Sequence, residues 1–297
     1  MNLAKKIQST WQIEYRNVGF LVFTCLIGAI FYMPLKDLFS LLLANELYSH
    51  IIVIPFVSGY SLYLRRQKIV LEIEYSFKAG IILWIIGALI YLLGSVEGAA
   101  FSQNDLFSIY MFSALVFWTG GFLAFYGVKA FKIALFPLLF LLFMIPVPDG
   151  VVDVFTSFLQ SSSTEVVYGM LKILGLPFTR NGFIFSLPDL TIEVARQCSG
   201  IRSSLALFIV SVFTGQLFLR TNWKRMIFVL SVLPITILKN GIRIVTLVML
   251  GNYVDTRVME GDLHRKGGIL FLVLALVFMS PIFWVLKRSE KKRTRIE

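Results

Sequence analysis

The chain has 297 residues, of which 57% are hydrophobic and 15% charged, and its mean hydropathy is +0.80. Soluble proteins are roughly 45–50% apolar and about 25% charged, so the composition excludes a soluble enzyme, a disordered tail and a secreted disulfide scaffold. It predicts an all-α integral membrane protein that forms a single domain over residues 1–297. The net charge of +11 is attributed to basic loops that set membrane topology, not to nucleic-acid binding.

Hydrophobic segments long enough to cross the bilayer recur along the whole chain. Crossing roughly 30 Å of hydrocarbon takes about 20 helical residues. In chain order the segments cover 18–35, 47–64, 79–97, 107–126, 130–146, 199–219, 226–250 and 268–286. The sequence therefore predicts a polytopic transmembrane helix bundle of about eight helices. Residues 1–17 carry no cleavage site and are interpreted as a cytoplasmic flank.

The distribution of Lys and Arg predicts the orientation. With the N-terminus in the cytoplasm, eighteen of the 28 basic residues fall on the inner side, seven on the outer side and three inside apolar segments. Basic loops are retained in the cytoplasm. We therefore expect both termini to be cytoplasmic in a multi-pass protein of the cytoplasmic (inner) membrane.

One outer segment, about 147–198, lacks a spanning stretch. Its first part, Val151–Leu174, has the spacing of an amphipathic helix that lies on the outer membrane surface, and the polar run 161–164 forms either a break or a polar face. Its second part, Phe178–Val194, has turn signals at Asn181-Gly182 and Pro188-Asp189, which predict a small hairpin on the outer face.

Charged residues inside an apolar segment form the first candidate site. Lys239, Asn240 and Arg243 fall within LPITILKNGIRIVTL, where a charge facing lipid costs roughly 2.5–3.5 kcal/mol. Pro234 and Gly241 bracket the cluster, so the helix is expected to be bent or interrupted there. The charges indicate an active site or a substrate-binding site; alternatively, they are structural and satisfied by carbonyls or water.

Cys198 is the second candidate. It lies in TIEVARQCSGIRSS at the start of the sixth segment, where the helix macrodipole favours a thiolate and Arg202 follows on the same face. By itself the position also fits a small apolar filler. Cys25, in the middle of the first segment with no charge nearby, is predicted to be inert.

His264 is the third candidate, in GDLHRKGGILF just before the last segment. The predicted topology brings Cys198, Arg243 and His264 to one membrane face on three consecutive helices. Thiol chemistry needs this set, because the thiolate attacks a carbonyl, the imidazole moves protons and a cation stabilises the oxyanion. With two cysteines and two histidines, we expect no disulfide framework, no metal site and no cofactor.

These motifs resemble the exosortase/archaeosortase family of membrane cysteine transpeptidases. The stretch EVARQCSGIRS is similar to the family's nucleophile motif with Cys198, LPITILKNGIRI to its arginine motif with Asn240 and Arg243, and GDLHRKGG to its histidine motif with His264. Upstream, SHIIVIPF resembles an early histidine motif that contains His50, and IPVPDG resembles the proline-rich entry to the outer segment.

The resemblance implies a sorting enzyme at the outer face of the membrane. Such enzymes act on exported proteins whose C-terminus carries a short motif (Pro-Glu-Pro in the bacterial type), a transmembrane helix and a basic tail, and they are thought to transfer the new C-terminus to an envelope acceptor. Cys198, Arg243 and His264 would be catalytic. Asn240, Arg202, Lys239 and His50 would support the site, and Arg202 and Lys239 could pair with an acidic residue of the substrate or support the thiolate.

Other functions stay open from the residues alone. An envelope polysaccharide polymerase or a lipid-linked sugar transferase also uses many helices, a large outer loop and intramembrane Arg, but it needs no cysteine. A transporter could bind an anion at Lys239 and Arg243, although no second broken helix is seen in the sequence. A thiol-redox protein would need a resolving partner for Cys198.

Overall fold

The computed structural model describes residues 2–44, 46–188, 190–254 and 268–293, which fold almost entirely into helices. In chain order the helices are α1 (Asn2–Ile30), α2 (Tyr32–Ala44), α3 (Ile54–Leu71), α4 (Phe77–Val96), α5 (Gln103–Phe140), α6 (Asp149–Ile173), α7 (Ile201–Phe218), α8 (Asn222–Leu230), α9 (Val232–Tyr253) and α10 (Gly268–Arg293). The chain forms two compact units, Met1–Asp149 and Gly150–Glu297. The expected single-domain organisation stays a prediction.

The predicted transmembrane helix bundle is confirmed. Within the described residues, six helices are long and apolar enough to cross a membrane, and a seventh crossing is added if α1 and α2 together form one bent span. α1 ends at Ile30 and the chain turns by 73° before α2. The predicted segment 18–35 therefore runs past a bend, at which Phe31 is buried against Ile27 and Ala114.

α5 contains a reversal of the chain, so it consists of two antiparallel halves. A straight helix of its 38 residues would be about 57 Å long, yet Asn104 near its start donates from Nδ2 to the carbonyl of Val147 beyond its end, at 2.7 Å. The reversal lies at Gly127, whose φ of 85° favours glycine. The segments 107–126 and 130–146 thus lie on separate halves of α5. Counting each half as a crossing gives eight candidate crossings within the described residues when α1 and α2 count as one.

The loop that joins α3 to α4 stabilises the reversal through backbone hydrogen bonds. The backbone N–H groups of Glu74 and Ser76 donate to the carbonyls of Tyr126 and Ala124, at 3.2 Å each. These carbonyls lie beside Gly127, where the regular helical bonds are interrupted. The two bonds give these carbonyls partners where the helical bonds of α5 are lost, and an unpaired backbone carbonyl would be costly if buried.

α4 packs against the first half of α5 through a stripe of glycines. Gly80, Gly87 and Gly94 are buried and seven residues apart, so they share one face. A Cβ added at Gly80 would lie 2.7 Å from the Cβ of Ala124, and one at Gly87 would lie 2.8 Å from the ring of Phe117. Small residues of this kind let membrane helices approach closely. The sequence analysis did not identify this stripe.

The proline-rich motif 145–150 follows the second half of α5 and is hydrogen-bonded to the start of its first half. The carboxylate of Asp149 accepts from Asn104 Nδ2 at 2.9 Å and from Ser102 Oγ at 2.5 Å, and the Asp149 N–H donates to the carboxylate of Asp105 at 2.8 Å. Ser102 also caps the start of α5 by accepting from the Asp105 N–H. The same side chains therefore begin α5 and lead the chain into α6.

α6 is the predicted amphipathic helix and is continuous through the polar run 161–164. Ser163 and Thr164 are fully buried, and they belong to an inward stripe that also contains Gln160, Val167 and Leu171. The run is therefore a polar face and not a break. The position of α6 on a membrane surface stays a prediction.

The predicted hairpin is a sheet of three antiparallel strands, β1 (Thr179–Asn181), β2 (Ile184–Ser186) and β3 (Thr191–Glu193), in the order β1-β2-β3. β1 and β2 are joined by a two-residue turn that begins at Gly182, where φ is 61°. The buried face of the sheet packs on α6 and α9 in one apolar cluster that includes Phe185, Val167 and Val248.

α9 runs without interruption from Val232 to Tyr253, which excludes the expected alternative of an interruption at Pro234 and Gly241. Pro234 is the third residue of the helix, where its missing N–H has no intrahelical acceptor in any case. Gly241 serves packing instead, because a Cβ there would overlap the side chain of Val166 on α6.

The reversal at Gly127 predicts the sidedness of three surface positions. Single cysteines at Gln103, Val147 and Lys129, in a Cys25→Ala/Cys198→Ala background, should react with a membrane-impermeant maleimide from opposite sides. We expect positions 103 and 147 to be labelled from one side and position 129 from the other. Labelling of 103 and 147 from opposite sides would mean that α5 crosses the membrane once.

Candidate active site

Cys198 lies in a short turn immediately before α7. The turn is the 3-10 helix Arg196–Ser199, in which the Cys198 N–H donates to the carbonyl of Ala195 at 2.9 Å. Gly200 follows with φ 76° and ψ 18°, and α7 begins at Ile201. The half-buried thiol therefore precedes a helix of 18 residues whose first turn has no side-chain cap. The sequence analysis put Cys198 at the helix start, and the structure separates it from the helix by two residues.

Asn240 connects the cysteine turn to both α9 and α6. Its Nδ2 donates to the carbonyl of Cys198 at 2.8 Å and to Ser163 Oγ at 3.0 Å. Asn240 and Ser163 are both fully buried. Because both hydrogens of this amide are used, α6, α9 and the cysteine turn are joined by one side chain.

Lys239 precedes Asn240 on α9 and is connected to the end of the same turn through Ser203 of α7. Its Nζ donates to Ser203 Oγ at 2.5 Å, and the Ser203 hydroxyl donates in turn to the carbonyl of Gly200 at 3.0 Å. Only 3% of the Lys239 surface is exposed. The ammonium is therefore inside the protein and hydrogen-bonded to a hydroxyl on α7.

Arg243 lies one helical turn after Lys239 on α9 and is half-buried. Its guanidinium is close enough for its charge to act on the Cys198 thiol and on Lys239. Cys198 and Arg243 therefore lie in one region of the second unit, and support of a thiolate or an oxyanion by Arg243 stays a prediction.

His264 falls in the segment 255–267, outside the described residues, but the helix that follows it begins at the same end of the unit as Cys198. α10 runs parallel to α7: Phe283 contacts Phe218 with ring centroids 5.9 Å apart, and the Glu290 carboxylate accepts from the Arg220 N–H at 3.1 Å. Both contacts are at the far end of α7. Gly268, where α10 begins, is therefore on the same side as Ile201.

Arg202 and His50 are two further residues that the sequence predicted to support the site. Arg202 is the second residue of α7 and its side chain is exposed. His50 belongs to the first unit, where its Nδ1 lies 3.1 Å from the carbonyl of Leu47 and its ring also bonds the backbone of Phe143. Support of catalysis by either residue stays a prediction.

α6 supplies polar contacts that the sequence analysis missed. Gln160 Nε2 donates to the carbonyl of Val194 at 2.7 Å, just before the cysteine turn. The signal was present in the sequence, because Gln160, Ser163 and Thr164 recur at helical spacing. An exposed ion pair between Asp153 on α6 and Arg196 adjoins the same turn.

A second ion pair joins α6 to β1. The Arg180 guanidinium donates to both oxygens of Glu165, at 2.6 and 3.1 Å, and this hydrogen bond holds the pKa of Glu165 below its ordinary value. A lowered folded-state pKa stabilises the fold above the unfolded pKa, and this contribution is lost as the pH falls through the folded value. The pair is exposed, so it locates the sheet on α6 with little stabilisation.

Within the part of the chain that the structure describes, no three His, Cys, Asp or Glu side chains lie close enough together to hold a metal ion.

Cys25 lies exposed on α1.

A family model described as transmembrane exosortase (Exosortase_EpsH) matches residues 42–280, well over half of the chain. The chain belongs to the transmembrane exosortase family. The match contains Cys198, Arg243 and His264, and α1 with most of α2 precedes it. No curated protein and no solved structure matches this exosortase.

The contact between Gly241 and Val166 predicts a packing defect that can be repaired. Gly241→Ala should lower the free energy of unfolding by about 1–3 kcal/mol, because the added methyl overlaps Val166 and forces α9 away from α6. Thermal unfolding in detergent measures the effect. Adding Val166→Ala should restore most of the loss, and Gly169→Ala on α6, where a Cβ meets nothing within 4 Å, is the matched control.

Proposed function

We propose that this exosortase is a cysteine endopeptidase and transpeptidase that cleaves C-terminal sorting signals of exported proteins. The observation that carries the proposal is the position of the half-buried Cys198 thiol, in the turn before the uncapped start of α7 and within range of the Arg243 charge. Burial of the thiol by itself disfavours the thiolate. A cation and the positive end of a helix dipole both favour a thiolate over a thiol. A cysteine used only for packing has no need of either.

The reaction would begin with attack of the Cys198 thiolate on the scissile carbonyl. Arg243 would stabilise the oxyanion of the tetrahedral intermediate, and His264 would give a proton to the leaving amine. The C–N bond then breaks, which leaves the new C-terminus as a thioester on Cys198. An acceptor nucleophile would attack the thioester, lose its proton to His264 and release the thiolate.

The expected substrate is an exported protein with a short C-terminal motif, a transmembrane helix and a basic tail. The excess of Lys and Arg on the predicted inner side favours cytoplasmic termini, and the cysteine turn would then open to the outer face. The scissile bond would lie there, because a basic tail is retained in the cytoplasm. We propose an envelope component as the acceptor.

Replacement of the nucleophile gives the first test. Cys198→Ala should reduce cleavage of a co-expressed substrate that carries a Pro-Glu-Pro motif, a transmembrane helix and an Arg-rich tail by at least about 10³-fold, because the thioester cannot form. His264→Ala should be similarly inactive. Cys25→Ala is the matched control and should cleave normally. Full processing by Cys198→Ala would favour an enzyme that needs no thiol, such as a polysaccharide polymerase or a sugar transferase.

Replacement of the cation gives the second test. Arg243→Lys keeps the charge but loses the planar fork of donors, and it should lower kcat for cleavage by roughly 10²-fold. Arg220→Lys, at the opposite end of α7, is the control and should have no effect. Normal kcat in Arg243→Lys would exclude a bidentate contact with the oxyanion and would leave only a role for charge.

A further inference from the structure

We propose that Lys239 and Ser203 are positioning residues that, together with Asn240, clamp the backbone of the nucleophile turn, and that Lys239 does not contact the substrate. This inference rests on the proposed role of Cys198 as nucleophile. It assigns a task to the buried lysine that the sequence analysis left between substrate pairing and support of the thiolate.

The clamp consists of two adjacent residues of α9 that hold two carbonyls of the same turn. Asn240 binds the carbonyl of Cys198 directly. Lys239 binds Ser203, whose hydroxyl binds the carbonyl of Gly200. Ser199 and Gly200 lie between the two carbonyls, so this two-residue segment is held at both of its ends.

The turn fits the clamp only because residue 200 is a glycine. A Cβ on Gly200 would lie 3.0 Å from Asn240 Oδ1 and 3.6 Å from Lys239 Nζ. The φ of 76° is also a conformation that favours glycine. The backbone of the turn thus lies directly on the side chains of α9.

Burial argues against a substrate contact for Lys239. Lys239 is 3% exposed and its ammonium is hydrogen-bonded to Ser203, whereas Arg202, which precedes Ser203 in the chain, is exposed. No carboxylate of the described chain comes within ion-pair distance of Lys239; the described pairs involve Lys129, Arg180 and Arg196. A buried ammonium must be hydrogen-bonded to be tolerated, and here its acceptor is the hydroxyl that holds the turn.

The clamp would act on geometry. A nucleophile displaced by about 1 Å can lose roughly 10²-fold in rate. The turn has local bonds of its own, because the Cys198 N–H donates to the carbonyl of Ala195 and the Gly200 carbonyl also accepts from the N–H and the hydroxyl of Ser204. The clamp adds the connection to α9 that these local bonds do not provide. With both carbonyls tied to α9, the thiol is kept before the first turn of α7, where Arg243 reaches it. Ser163 completes the arrangement by holding the Asn240 amide from α6.

The test uses full-length protein in detergent with Cys25→Ala, so that Cys198 is the single thiol. Lys239→Met and Ser203→Ala should each lower kcat for cleavage by roughly 10- to 100-fold with KM within about twofold. Both should also change the rate of Cys198 alkylation by iodoacetamide at neutral pH. Ser203→Thr keeps the hydroxyl and should restore both quantities to within about threefold.

Ser211→Ala is the matched control, because Ser211 is a buried serine of α7 that bonds only its own helix, through the carbonyl of Phe208. It should leave kcat and the alkylation rate unchanged. A raised KM with normal kcat and normal alkylation in Lys239→Met would mean that Lys239 binds substrate, and it would overturn the clamp.

The two arms separate this inference from the proposed function. If Cys198→Ala still cleaves substrate, the proposed function fails, and the alkylation rate alone then decides about the clamp. Unchanged alkylation in both Lys239→Met and Ser203→Ala would overturn it whatever the cleavage assay gives. A changed rate of Cys198 alkylation in Ser203→Ala that returns to the original rate in Ser203→Thr would support the clamp, since only the second variant keeps the hydroxyl.

Discussion

The hydrogen bonds of the Asn240 amide determine the arrangement of the whole candidate site. One fully buried NH₂ group holds the carbonyl of Cys198 and the hydroxyl of Ser163, so a turn, α9 and α6 share one anchor. In a low-dielectric interior an unsatisfied polar group costs several kcal/mol. The two bonds satisfy the NH₂ group of Asn240 and tie the turn that contains Cys198 to both helices.

The two units solve the problem of packing helices in lipid in different ways. In the first unit, α4 packs against α5 through Gly80, Gly87 and Gly94, where the absence of side chains permits close approach. Buried hydroxyls such as Ser58 and Ser113 also join helices of the first unit, and the second unit adds amides and a buried ammonium. Polar contacts of this kind are expensive to bury, and they are concentrated where the proposed chemistry needs a fixed geometry.

Much of the fold followed from composition and periodicity. The apolar segments predicted the candidate crossings, including the pair 107–126 and 130–146 that meets at Gly127. An apolar run of about 20 residues matches the thickness of the hydrocarbon, so its length indicates a crossing. The bend at Phe31, the third strand and the continuity of α9 through Pro234 did not follow. Each depends on contacts with residues far away in the sequence, and Pro and Gly have the same local signature whether they break a helix or pack in one.

The sequence by itself determined the membrane class and the approximate candidate crossings, which follow from composition and spacing. It also predicted Cys198, Arg243 and His264 as catalytic residues, from residue type, spacing and motif. Only the tertiary structure decided that Asn240 holds the Cys198 carbonyl and that Lys239 is turned inward to Ser203. The physical reason is that spacing on one helix gives the direction of a side chain but not its partner. The partner depends on which other helix packs there, and that is set by contacts such as Gly241 on Val166.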